Sequence, residues 1–166
     1  MTRDPEQLLG GDAIGDALER LWAAVEPSRA VGGWATVELD RAALEVAATL
    51  AALGTPATED APHDELLGAR ARRLRFPGGK DLLLLEPSTE GLLAASLARF
   101  GEGSVALYLV VGSAAAARAR EAGFVLSSPA DGPLGRQRRV DVAPRWGPHL
   151  LLVDAGPPAP PATIEP

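Results

Sequence analysis

Two histidines, one lysine and no cysteine bound the chemistry open to this chain of 166 residues. His63 lies between Pro62 and Asp64 in a polar stretch, and His149 follows Pro148. Neither imidazole has a serine, carboxylate or second histidine at a spacing that defines a catalytic triad or an H-E-x-x-H zinc site. The absence of cysteine excludes disulfides, thiolate nucleophiles and Cys-held zinc or iron–sulfur centres. Pro77-Gly78-Gly79-Lys80 has the glycines and lysine of a phosphate loop. It lacks the leading glycine and the following Ser/Thr, and it joins two strand patterns, so it reads as a hairpin turn. Arg70, Arg72, Arg73 and Arg75 form a cationic cluster that pairs with neighbouring acids or guards a strand edge, a phosphate or CoA-tail site being the alternative.

The elements that must position these groups come from a chain with enough apolar mass for a core, 46% hydrophobic residues of which only a small part is aromatic. A formal charge of −6 argues against nucleic-acid binding, which needs a basic face. No apolar run approaches the length of a membrane span, and MTRDPEQLLGG lacks the apolar centre of a secretory signal, so the expectation is a soluble, cytoplasmic protein. Residues 1–11 read as a flexible lead-in. A helix follows from Asp12 to about Glu26, with Ile14, Leu18, Leu21, Trp22 and Val25 on one stripe. Gly32-Gly33 opens a strand, WATVEL (34–39), with Trp34, Thr36 and Glu38 on one face. Asp40 caps the next helix and Gly54 closes it. The stretch 55–68 is rich in turns with one short edge strand, and strands at 69–76 and 81–86 flank the turn at 77–79. Ser88 starts a helix by half a capping box.

The pattern then restarts. SVALYLVV (104–111) is a strand, 113–123 a helix closed by Gly123, FVLSS a short strand, and 136–143 and 149–154 two more. The proline-rich tail 156–166 is expected to be disordered. Strand, helix and three strands thus occur twice, with the 88–103 segment as connector between modules at 32–87 and 104–155. The fold class is α+β, with tandem βαβββ modules forming a curved mixed sheet around a cleft, plus an N-terminal helix in residues 1–31.

With that order in place, EPSTEGLLAASLARFGEGSVALYLVV (86–111) resembles the vicinal oxygen chelate superfamily of glyoxalase I, bleomycin-resistance proteins, extradiol dioxygenases and methylmalonyl-CoA epimerase. The resemblance covers about residues 32–154. It implies a divalent metal on four ligands, one per equivalent strand, at positions that fall on Trp34, Leu83, Ala106 and Leu151, with Leu152 the alternative register. None of these side chains ligates a hard cation. The expectation is therefore a protein with no metal and no cofactor.

The face register lines a groove with Trp34, Thr36, Glu38, Leu83, Leu85, Ala106, Tyr108, His149 and Leu151. Many apolar walls and a few polar groups suit a small hydrophobic or aromatic molecule, Trp34 stacking on it and Glu38 pairing with a cationic group or with Arg139. The leading expectation is a metal-free, glyoxalase-like binding protein of the sequestering or sensing type, with no catalytic residue assigned. The alternative is an enzyme of the superfamily (a lyase, isomerase or epimerase) using Glu38, Tyr108 or His149, or ligands placed elsewhere. A third reading is a structural or partner-binding role, with the groove filled by its own side chains or by the N-terminal helix. The resemblance also implies a homodimer.

Overall fold

The computed structural model describes residues 12–142 and 147–156. The expected flexible lead-in and all but the first residue of the expected disordered tail lie outside the described residues.

The elements, in chain order, are α1 (Asp12–Val25), β1 (Arg29–Ala35), α2 (Leu39–Thr49), a 3₁₀ turn (Ala51–Leu53), β2 (Ala57–Asp64), β3 (Ala69–Phe76) and β4 (Lys80–Pro87). There follow α3 (Leu92–Phe100), β5 (Gly103–Val111), α4 (Ala115–Glu121), β6 (Val125–Leu126), β7 (Ala130–Gly132), β8 (Gly135–Asp141) and β9 (His149–Asp154). Among the described residues, nine strands form a single mixed sheet in the order β2-β3-β4-β1-β5-β9-β8-β6, with β7 also on β8. β1 runs parallel to β4 and β5 runs parallel to β9, so each half closes by returning its last strand beside its first. The halves join through the antiparallel β1–β5 pair.

The sheet curls until its ends meet. Glu65 N donates to Asp131 O at 3.2 Å, and Asp131 N donates to Glu65 Oε2 at 3.1 Å, tying the end of β2 to β7. Alternation along each strand then divides the apolar residues between an inner and an outer layer. The inner cluster includes Val31, Ala71, Leu83, Leu85, Ala106, Tyr108, Leu151 and Val153, capped by Leu67 and by Leu93 of α3. Outside, α2 covers Leu74, Phe76 and Leu84, while α1 and α4 cover Leu109, Val111, Val140, Leu150 and Leu152.

The first strand differs from expectation. It spans Arg29–Ala35 rather than 34–39, ahead of the module start expected at residue 32, and Gly32-Gly33 sits inside it. The reason is packing. A Cβ on Gly33 would lie 2.9 Å from the Ala106 Cβ and 3.0 Å from both Leu85 and Tyr108, so the inner layer at β1 has room only for glycine. Thr36, Val37 and Glu38 have left the sheet, and Glu38 with extended backbone precedes the first turn of α2. The cap is supplied from outside: Leu39 N donates to Glu86 Oε2 at 3.0 Å. Ser88 does not start α3, whose N-cap is Gly91. β7 lies in what reads as a polar turn, and β2 is a full eight-residue edge strand.

Candidate functional site

The groove expected on the inner face is packed core. Leu83, Leu85, Tyr108 and Leu151 are fully buried, and Ala106 and His149 retain only 4% and 3% of their surface. These six lie on the inner side of β4, β5 and β9, as their register requires: Leu83 is opposite Gly33, Gly33 opposite Ala106, Ala106 opposite His149, and Tyr108 opposite Leu151. They touch one another and α3 instead of facing an open cleft, with Leu93 inserted from the helix and Leu92 and Leu97 beside it.

The other three do not join them. Trp34 packs outward against Leu82, Leu84 and α2, because the strand starts earlier and its parity is reversed relative to the expected face. Thr36 is buried in the β1–α2 turn, where its hydroxyl donates to Glu102 Oε1 at 2.6 Å. Together with the Val37 N–H and Arg41, that hydroxyl holds the Glu102 carboxyl below the usual range. Glu38 is exposed and its partner is Arg41 at 3.8 Å, not Arg139, which pairs with Asp141 at 3.6 Å.

Two polar groupings are buried in the inner layer. In the first, Asp64 at the end of β2 accepts from Tyr108 Oη at 2.7 Å, Gln137 Nε2 at 2.8 Å and Leu67 N at 2.9 Å. Burial, and then the Asp64 carboxylate, push the Tyr108 hydroxyl well above its ordinary pKa, so it serves as a fixed donor and not as an acid. Gln137 Oε1 has no partner among the described residues. The carboxamide fills the space where a Cβ on Gly132 would sit, 2.2 Å from Gln137 Cδ.

In the second grouping Ser96 Oγ lies 3.0 Å from His149 Nε2 and also 3.0 Å from Leu92 O. The two contacts place the Ser96 hydroxyl between Leu92 O of its own helix and the His149 imidazole. Burial, with a smaller contribution from the Arg139 charge, lowers the His149 pKa to about 4. The imidazole is therefore neutral at pH 7 and pins α3 to β9. Ser96 is sealed from solvent and cannot reach a substrate as a nucleophile.

The sequence reading missed Asp64, Gln137 and Ser96. Asp64 had a legible signal, an Asx-type turn at Asp64-Glu65-Leu66-Leu67-Gly68, in which Gly68 adopts φ +69°. His63 is exposed and bonds Ser88 Oγ at 2.6 Å. The arginine cluster is spent on acids: Arg70 on Glu86, Arg72 on Asp40 and Asp60, Arg73 on Asp81, and Arg75 on Glu59.

No family model and no curated protein matches the sequence. Solved structures do match the fold. Methylmalonyl-CoA epimerase from Mycobacterium tuberculosis aligns with TM-score 0.67 and 23% identity over 81% of this chain and 91% of its own. A hypothetical protein from Bacillus halodurans C-125 aligns at 0.63 and 18% over 78% and 95%. A variant of Streptomyces coelicolor methylmalonyl-CoA epimerase, in complex with 2-nitronate-propionyl-CoA, aligns at 0.60 and 23% over 76% and 96%. The chain has the vicinal oxygen chelate fold.

On the four central strands of the sheet, the inner layer holds Val31 and Gly33, Leu83 and Leu85, Ala106 and Tyr108, and His149, Leu151 and Val153, the His149 imidazole being bonded to Ser96. Only the Tyr108 hydroxyl offers an oxygen, and it is committed to Asp64. Among the described residues, no group of three His, Asp or Glu side chains is arranged to hold an ion. No described helix is long and apolar enough to cross a membrane.

Proposed function

We propose that this chain is a metal-independent binding protein on the vicinal oxygen chelate fold, in which the interior that would bind a cation and a substrate has become hydrophobic core. One observation carries the reading: Leu83, Ala106 and Leu151, together with Val31 on β1, are buried inner-layer residues without a donor atom. Burying a divalent cation among such groups leaves its charge uncompensated, which costs far more than a fold of marginal stability can offset. A small hydrophobic or aromatic ligand seated between Trp34 and Leu151 is not part of this proposal. Trp34 faces the other way, and Leu93 occupies the space. The homodimer stays within the proposal on the family resemblance, and light scattering checks it.

A second reading, an enzyme acting on a CoA thioester, is favoured by the similar methylmalonyl-CoA epimerase structures, which hold 2-nitronate-propionyl-CoA or methylmalonyl-CoA. Incubation with methylmalonyl-CoA in D₂O, with and without Co²⁺, separates the two. Absence of deuterium at the α-carbon under both conditions counts against the enzyme reading. Incorporation that rises with protein concentration overturns the binding-protein reading.

A further inference from the structure

A pocket of about 350 Å³ opens at the rim of the sheet, where the β3–β4 hairpin faces the end of α2 and the start of β1. Its walls include Leu50, Leu53, Phe76 and Leu82, and its charged residues are Arg29, Lys80 and Asp81. These charges are unequal in kind. Asp81, with 5% of its side-chain surface exposed, is held between Arg29 at 2.9 Å and Arg73. Its negative charge is therefore neutralised inside the protein. Lys80 is the chain's single lysine, stands exposed, and has no ion pair or hydrogen bond among the described residues. Arg29 retains 45% of its side-chain exposure beyond its bond to Asp81. The pocket thus combines apolar walls, an ammonium without a partner and a partly exposed guanidinium.

The shape of this corner is set by backbone and not by long side chains. Gly54, at φ +93°, ends the 3₁₀ turn against Pro77, and a Cβ there would come within 2.8 Å of the proline ring. Gly78 and Gly79, at φ +85° and +79°, turn the chain back so that Phe76 pairs with Lys80. The two walls are in contact before any ligand arrives, which lowers the ordering cost of binding.

We propose that this pocket binds an amphipathic organic anion, a carboxylate on an acyl or aryl body of about a dozen heavy atoms, in keeping with a small pocket of mostly apolar lining and a few placed polar groups. The carboxylate meets Lys80 and Arg29, and the hydrocarbon lies on Leu50, Leu53 and Phe76. The proposal deepens the binding-protein reading by naming a ligand class and moving its seat from the interior to the rim. The pocket residues differ from those of the buried inner layer apart from Val31, so failure here leaves the proton-exchange result untouched and the two can be judged separately.

The test is calorimetric titration of the full chain with decanoate and with 4-phenylbutanoate, beside decanamide and decylammonium as neutral and cationic counterparts. The expected result is saturable one-to-one binding of at least one carboxylate, with the amide and the amine much weaker. Lys80→Glu, on an exposed hairpin, should keep the circular dichroism spectrum and weaken binding about ten-fold, equivalent to about 1.4 kcal/mol. Leu53→Asp should do the same from the apolar wall. No saturation into the low millimolar range, equal binding of decanamide, or binding indifferent to both substitutions overturns the proposal.

Discussion

The inner layer of the sheet and the pocket at its rim draw on the same leucine-rich strands, yet they treat charge in opposite ways. Inside, Asp64 is surrounded by three donors from β5, β8 and the turn after β2, and His149 is kept neutral beside Ser96. Apart from Gln137 Oε1, polarity there is spent on holding the sheet closed. At the rim, Asp81 is neutralised by two arginines while Lys80 stands unpaired. A group whose hydrogen bonds are used internally stabilises the fold; one left with free donors at an apolar pocket is available to a ligand. The interior is thus read as structure and the rim as a place for binding.

Substitutions sharpen this contrast. The largest effect is expected inside, at Asp64→Ala, which strands three buried donors and should destabilise by about 4 kcal/mol in urea unfolding. A loss under about 1 kcal/mol would show that the network is not integral to the fold. Next comes Leu93→Ala, which empties the plug that α3 places in the inner layer and should cost about 3 kcal/mol. Failure to destabilise would mean that the interior tolerates a cavity there and can be opened by a ligand.

Of similar size is a dependence on acid. His149 titrates near 4 when folded, below the ordinary value of 6.5. Because the unfolded chain takes up this proton first, stability from His149 is fully present above pH 6.5 and is lost as pH falls through about 4, in total about 3 kcal/mol. Urea midpoints measured across that range, compared with His149→Gln, check it: the variant should lose this part of the slope. The smallest effect belongs to the rim. Lys80→Ala should leave stability within about 0.5 kcal/mol of the parent. A larger loss would make Lys80 a structural residue and blur the comparison.

Much of the sheet was legible in the chain because β4, β5 and β9 are strongly apolar runs bounded by turn residues, and their alternation fixes which side chains point inward. His149–Asp154 was expected as a strand and is one. β1 was misjudged because Gly32-Gly33 reads locally as a break, whereas glycine is demanded there by Ala106, Leu85 and Tyr108 from other strands. That shift carried Trp34, Thr36 and Glu38 away from the inner face together. Asp64 and Gln137 were invisible for a related reason. They are 73 residues apart and meet only because the sheet curls far enough to bring β2 to β8. The Lys80 hairpin was read correctly as a turn, but its pocket depends on Gly54 against Pro77, a contact that no local pattern announces.

The central claim, that the space between β1, β4, β5 and β9 is core and not a cation site, is tested most directly by thermal unfolding with Mn²⁺, Co²⁺, Ni²⁺ or Zn²⁺ in slight excess over protein. The melting temperature is expected not to move with any of the four. A stoichiometric rise with one of them, abolished by substitution at an inner-layer position, would contradict it.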